Sequence, residues 1–301
     1  MRGWWREVAG LVLPVSCGGC GRPRTALCPS CEAELTGSGP RRVRPSPEPA
    51  GLPVVYAAAP YEGGVRALLL AHKERGALPL AGPLGSALAG AVTAAAGGLG
   101  ATGGGFLLLV PVPSSRRSVR ARGHDPTRRI ALVAAGRLRR TGRAARLLPV
   151  LRQRRAVADQ SGLGARGRLA NLAGALEVTA GGRRLLGAAV RAGGRVVLVD
   201  DLMTTGASLA EAARAVTAAL AAQAAGEEDG RAGGSEGMAE ASGADAVHRP
   251  FMFPGLADAP KGGVAEGLFE RPAAAVIASS PSSFEINRNS LGSCIVAGGE
   301  R

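Results

Sequence analysis

Aromatic side chains are scarce in this sequence: five Phe, two Trp and two Tyr make up 3% of its 301 residues. Proteins that bind single-stranded nucleic acid by stacking bases use several such rings, so the composition disfavours that class. Lysine is also rare, because only Lys73 and Lys261 occur among 37 basic residues. Arginine therefore carries the formal charge of +14, and we attribute part of it to a coding bias rather than to a nucleic-acid surface.

Signals for export or membrane insertion are weak. Residues 1–16 offer a cation and a short apolar run before Cys17, but Glu7 interrupts the run and Pro14 stands where a lipoprotein signal has an aliphatic residue. Residues 77–115 carry no charge, yet glycine and proline divide them into short pieces. We therefore expect a soluble, cytoplasmic protein without a membrane span.

Four of the five cysteines form two Cys-x-x-Cys pairs separated by seven residues: Cys17, Cys20, Cys28 and Cys31. This spacing is typical of a closed tetrahedral zinc site, with Gly18, Gly19 and Gly21 relieving crowding around the thiolates. Four protein ligands leave no position for water, so we expect structural zinc. A redox dithiol is the alternative, although such centres use one pair. Cys294 is expected to be an unpaired thiol.

Hydrophobic patterning predicts an α/β fold in which a mostly parallel sheet is covered by helices on both faces. Strands are expected at 53–59, 106–112, 147–151, 175–178, 195–199 and 273–278. Helices are expected at 64–74, 78–96, 126–140 and 207–225, with a long loop at 152–172. The predicted organisation is a helix and four-cysteine zinc module (1–36), a linker (37–52), a main domain (53–225), a disordered insertion (226–270), a final strand (271–285) and a tail (286–301).

The stretch VVLVDDLMTTGAS, residues 196–208, carries the clearest chemical signal. Four apolar residues indicate a central parallel strand, and Asp200 and Asp201 stand at its carboxyl end, where open α/β sheets bind ligands. Small and hydroxyl residues then open a helix, which favours a phosphate. The pattern suggests a sugar phosphate. Two alternatives fit less well. An ordinary capped strand-to-helix turn would need only one such residue, and a magnesium-nucleotide site would need a preceding Gly-x-x-x-x-Gly-Lys loop, which this sequence lacks.

This stretch resembles the phosphoribosyl-pyrophosphate motif of type I phosphoribosyltransferases, an apolar strand followed by Asp-Asp-x-x-Thr-Thr-Gly. The resemblance implies that Asp200 and Asp201 hold the ribose 2′- and 3′-hydroxyls. It also implies that the following loop surrounds the 5′-phosphate through Thr204, Thr205, Gly206, Ala207 and Ser208.

VPVPSSRRSVRARGHD at 110–125 follows a strand, where the type I class has its pyrophosphate loop, and it supplies arginines for a pyrophosphate. Two further segments are similar to one branch of that class, the ComF-type competence proteins, in which a zinc module precedes a phosphoribosyltransferase domain. These segments carry Tyr61, Arg66, Lys73 and Gly76, and Gln160, Leu163, Arg168, Asn171 and Gly174. The family commonly has Arg-Gly-Phe-Asn where this chain has Arg122, Gly123, His124 and Asp125.

The resemblance implies binding of phosphoribosyl pyrophosphate with Mg²⁺ and transfer of a phosphoribosyl group to or from a base that the sequence does not identify. The residues expected to act in catalysis are Asp200, Asp201, Arg116 and Arg117. Additional substrate contacts are expected from Lys73, Arg122, Gln160 and Arg168. The alternative is a non-catalytic ligand-binding or DNA-uptake protein, with single-stranded DNA or uptake proteins as partners. The sequence leaves the oligomeric state open. The three histidines, His72, His124 and His248, are expected not to cluster.

Overall fold

The computed structural model describes residues 15–97, 105–155, 164–232 and 272–284. Its strands are β1 (Arg41–Val43), β2 (Val55–Pro60), β3 (Leu107–Pro111), β4 (Ala145–Leu147), β5 (Leu151–Gln153), β6 (Leu176–Val178), β7 (Arg195–Met203) and β8 (Ala273–Ser279). Its helices are α1 (Pro29–Thr36), α2 (Gly63–Glu74), α3 (Ala81–Gly97), α4 (Arg116–Arg122), α5 (Pro126–Arg140), α6 (Ala165–Leu172), α7 (Ala180–Arg191) and α8 (Ala207–Ala232).

Six strands form one sheet in the order β1-β2-β8-β7-β3-β4, and every neighbouring pair is parallel except β1 with β2. Strands β3 and β8 are buried along their whole length because both faces of the sheet are covered. Residues of α2, α3 and α5 pack on one face, and those of α7 and α8 on the other. The expected α/β architecture with a mostly parallel sheet is confirmed.

The connections of β3 and β7 leave the sheet in opposite directions. Strand β3 leads through α5 to its outer neighbour β4, whereas β7 leads through α8 to β8 on the other side. Such a point between adjacent parallel strands opens a crevice at their carboxyl ends. The pairing of β3 with β7 ends at Pro111 and Val199, and β7 then continues along β8 to Met203. Asp200 and Asp201 therefore lie where β3 has already left the sheet.

Several elements differ from the sequence expectation. The single strand expected at 147–151 is two strands, of which β4 joins the main sheet and β5 pairs antiparallel with β6. The expected loop at 152–172 contains the end of β5 and helix α6; Gln160 lies outside the described residues. Helices α4 and α7 were not expected. Each begins after a side-chain cap, from Ser115 and Thr179 respectively.

The ends of the predicted segments also shift. Residues 37–52, expected as a linker, contain β1, and α8 continues to Ala232, past the expected start of the insertion at 226. The helix expected at the start of the 1–36 module, most of the insertion and the tail lie outside the described residues. One described helical stretch, Leu78–Gly97, has the length and hydropathy of a membrane span, but 56% of it is buried, as in a core helix.

Candidate functional site

The two adjacent aspartates at the crevice are held differently. Asp201 has a side chain only 7% exposed, and its Oδ2 accepts a hydrogen bond from Lys73 Nζ at 2.8 Å. Asp200 is half-buried, and its Oδ1 accepts from the backbone N–H of Asp201 at 2.8 Å. Lys73 comes from the last turn of α2, so this ion pair connects that helix to the carboxyl end of β7. The structure thus brings three predicted site residues together.

The electrostatics of this trio are unbalanced. Burial raises the pKa of Asp200 well above its usual value, and the neighbouring Asp201 carboxylate raises it further. Burial lowers the pKa of Lys73, but attraction to Asp201 outweighs it, so the Lys73 pKa is raised. One ammonium group therefore faces two carboxylates, an arrangement that is costly to the fold and typical of a functional site.

The loop after β7 leaves its hydroxyl groups accessible. Thr204 is exposed, and Thr205 and Ser208 are half-buried just before and within the first turn of α8. Arg168 of α6 donates from Nη1 to Thr204 Oγ1 at 3.3 Å, which joins two predicted substrate-binding residues. The first N–H groups of a helix have no intrahelical partner and favour an anion.

Gly206 is required by the shape of this loop. Its φ of +75° lies in the left-handed region, and a Cβ there would lie 3.0 Å from Leu52 Cδ1 and 3.3 Å from Pro45 Cγ. Ala207 is buried directly behind it. Leu52 and Pro45 thus pack closely against the loop at Gly206.

The loop after β3 forms the other wall of the crevice. Asp125, which replaces the family's asparagine, caps α5 by accepting from the backbone N–H of Arg128 at 3.1 Å. Aspartate and asparagine cap helices about equally well, so this departure is structurally conservative. Arg122 Nε lies 3.4 Å from Glu74 Oε2. Arg117 is exposed on α4, and Arg116 begins the same helix.

Two of the histidines cluster, so the expectation that they would lie apart was wrong. The rings of His72 and His124 meet edge to face with centroids 6.0 Å apart. His72, 1% exposed, directly precedes Lys73 on α2, and His124 follows the β3 loop. Adjacency to Lys73 was the one sequence signal for His72. His248 lies outside the described residues.

The four cysteines of the N-terminal module converge. Their Sγ atoms all lie within 4.8 Å of one another, and all four are free thiols. Zinc bonded to four thiolates at about 2.3 Å places the sulfurs about 3.8 Å apart, so the donor set fits a metal such as zinc. Burial raises the pKa of Cys17, but backbone N–H groups of Cys20, Cys28 and Gly19 outweigh it and lower the pKa to about 6. Burial raises the pKa of Cys31.

Glycines at this module act as expected only in part. A Cβ on Gly19 would lie 2.5 Å from Cys31 Sγ, so Gly19 does relieve crowding at a thiol. A Cβ on Gly18 would instead meet Leu80 at 2.7 Å, and Gly21 has a φ of +79°. The module also contacts α2, because the Gly64 N–H donates to Glu34 Oε2 at 2.8 Å. It is therefore packed into the same core as the sheet.

A second concave region is lined by charged groups that bond to each other and to the backbone. A cavity of about 650 Å³ is lined by residues 50–53 and by residues of α6 and α8. Its buried Glu211 accepts from the Leu176 N–H at 3.0 Å and pairs with Arg214 at 2.7 Å. These contacts fasten β6 to α8.

Comparison of the chain with protein-family models and with curated proteins finds no match.

Proposed function

We propose that this chain is a ComF-type protein with a type I phosphoribosyltransferase-like domain, which binds phosphoribosyl pyrophosphate and transfers its phosphoribosyl group to or from a base. One observation carries the proposal. The Asp200–Asp201 pair lies in the crevice between β3 and β7 and is followed by a hydroxyl-lined loop that opens α8. A bare structural turn explains neither the second carboxylate nor the accessible hydroxyls.

The ribose is held by the acid pair in this proposal. Hydroxyl groups at C2 and C3 donate to Asp200 and Asp201, which replaces the water lost on burial without adding charge to the site. The 5′-phosphate accepts from residues 204–208, where hydroxyls and the first N–H groups of α8 converge and the helix dipole favours an anion.

The leaving group faces the arginines of the β3 loop and α6. The bond from C1 to the pyrophosphate oxygen breaks, the pyrophosphate keeps the electron pair, and C1 bonds to the nitrogen of the base. Where that nitrogen carries a hydrogen, its proton passes to solvent. Negative charge then grows on the pyrophosphate, for which Arg116, Arg117 and Arg122 supply donors, while Arg168 reaches from α6. Mg²⁺ bound together with the substrate would neutralise part of the charge on the pyrophosphate. The carboxylates stabilise the positive charge that develops on the ribose ring.

Zinc at the four cysteines has a structural role in this proposal. Four thiolates complete its coordination, so it offers no position for a substrate. Because the four-cysteine module packs on α2, which supplies Lys73, bound zinc supports one wall of the crevice. Four reduced thiols at close range also fit a reducing compartment, and we place the protein in the cytoplasm.

Calorimetry with phosphoribosyl pyrophosphate and Mg²⁺ tests the proposal. The wild type is expected to bind, and the double variant Asp200→Asn/Asp201→Asn to lose binding while it retains its fold by circular dichroism. Asp125→Asn is the matched control, because it removes one carboxylate nearby and keeps the α5 cap. Unchanged affinity in the double variant would falsify the site assignment.

Turnover is measured separately, as pyrophosphate release with a panel of bases. Release with one base identifies the acceptor. Retained binding with no release on any base favours the alternative of a ligand-binding or DNA-uptake protein. A salt-dependent shift of single-stranded DNA then tests whether the arginine-rich surface binds nucleic acid.

A further inference from the structure

Three residues at the contact between the end of α2 and the turn that joins α4 to α5, here called the histidine seam, each carry a buried polar atom: His72 Nε2, His124 Nε2 and Arg122 Nη1. Within the described part of the chain, none of the three has a hydrogen-bond partner. A buried polar atom left unpaired destabilises the fold, so three on adjoining residues of one contact call for an explanation. Two belong to rings that touch each other.

The other ring nitrogens define the protonation of the pair. His72 Nδ1 lies 3.3 Å from the Ala77 carbonyl oxygen, and His124 Nδ1 lies 3.1 Å from the Arg122 carbonyl oxygen. A carbonyl oxygen only accepts, so each Nδ1 carries a hydrogen. In the neutral rings both Nε2 atoms are then bare acceptors, and each becomes a donor when its ring takes up a proton.

The charges around the seam favour an anion over a cation. Lys73 and Glu74 face it from α2, Arg122 and His124 from the turn, Arg129 from α5 and Asp201 from β7. Lys73 is engaged by Asp201, and Arg122 by Glu74, which leaves the Arg122 Nη1 donor unused. A metal would need a third ligand, and among the described residues only the cysteines form such a group.

We propose that the histidine seam binds an oxyanion of the phosphate class and takes up a proton as it does so, turning imidazole Nε2 atoms into donors beside Arg122. The identity of the anion as the pyrophosphate of the substrate rests on the proposed function. When empty, the buried His72 favours its neutral form, because burial lowers its pKa and His124 and Arg129 lower it further. An anion reverses that balance, so its affinity rises as the pH falls.

Titration calorimetry with inorganic pyrophosphate, without Mg²⁺, tests the proposal. Runs at pH 8.0 and 6.5, in buffers of different ionisation enthalpy, give the affinity and the number of protons taken up. Each proton taken up changes affinity by up to about tenfold per pH unit. We expect the gain on acidification to be larger in the wild type than in His124→Gln and His72→Gln, with less proton uptake in both variants.

The controls separate the seam from general charge and from folding. Arg137→Gln removes an exposed cation on α5 and should retain the wild-type pH dependence. His124→Gln changes a half-buried residue, so it tests the seam even where His72→Gln lowers stability. Equal proton uptake and equal pH dependence in wild type and folded variants would overturn the inference. Histidine-dependent pyrophosphate binding without binding of phosphoribosyl pyrophosphate would support the seam and refute the proposed function.

Discussion

Asp200→Asn is expected to stabilise the folded protein at neutral pH while it removes ligand binding. The wild-type side chain is half-buried beside the Asp201 carboxylate, and both its burial and the neighbouring charge raise its pKa. An amide has nearly the same shape and still accepts from the Asp201 N–H through its oxygen, as the carboxylate does. The substitution therefore removes a like-charge contact without opening a cavity or leaving a donor unpaired.

The size and pH dependence of this effect follow from linkage. Relief of this like-charge contact is expected to stabilise the protein by about 1–2 kcal/mol. Each kcal/mol corresponds to about 2–4 °C in melting temperature. Because the pKa is raised on folding, the folded wild type binds more protons than the unfolded chain between the usual value near 4 and the raised value. Its stability therefore falls as pH rises through that window, and the variant's advantage grows.

Urea unfolding at pH 7.0 and 4.5 measures this difference. We expect the free energy of unfolding of Asp200→Asn to exceed that of the wild type at pH 7.0 and to lie closer to it at pH 4.5. Because the two proteins are compared at the same pH, the effects of other titrating groups cancel. Asp125→Asn, at the cap of α5, should track the wild type at both values. A variant that is less stable than the wild type at pH 7.0, or whose difference grows on acidification, would refute the electrostatic reasoning.

Three other outcomes can be checked with single proteins. Lys73→Met should lower the free energy of unfolding by about 1–3 kcal/mol in urea, because it leaves the buried Asp201 carboxylate without its cation. Adding Asp201→Asn should recover most of that lost stability. Gly206→Ala should lose about 2–3 kcal/mol, against about 1–2 kcal/mol for Gly142→Ala, which has a similar φ of +80° but open space around it. Cys31→Ser should lower bound zinc, measured by elemental analysis, from about one ion per chain to a small fraction, whereas Cys294→Ser should not.

Apolar runs and helix caps made much of the fold predictable. The run 196–199 indicated a central strand, and Pro126 after Asp125 marked the start of α5. Helix α7 escaped notice because Gly181 and Gly182 fall in its first turn, where glycine argues against a helix. Strands β4 and β5 were merged because Pro149, which separates them, is a weak boundary in a short apolar segment.

The individual site residues were easier to predict than their partners. Asp200 and Asp201 stand in a recognisable motif, but the bond from Lys73 to Asp201 joins residues 128 positions apart. No local pattern encodes such a contact, since it depends on how the last turn of α2 is placed relative to the carboxyl end of β7. The pairing of His72 with His124 was missed for the same reason.

The position of β8 between β2 and β7 has a consequence for synthesis. Strand β2 gains its parallel neighbour only from residues 273–279, which leave the ribosome after every other strand of the described sheet. Until then the nascent sheet is split, and the facing edges of β2 and β7 present unpaired backbone groups that can recruit another chain. We expect a chain truncated before residue 272 to aggregate during translation, even though it retains both aspartates and the four cysteines of the N-terminal module.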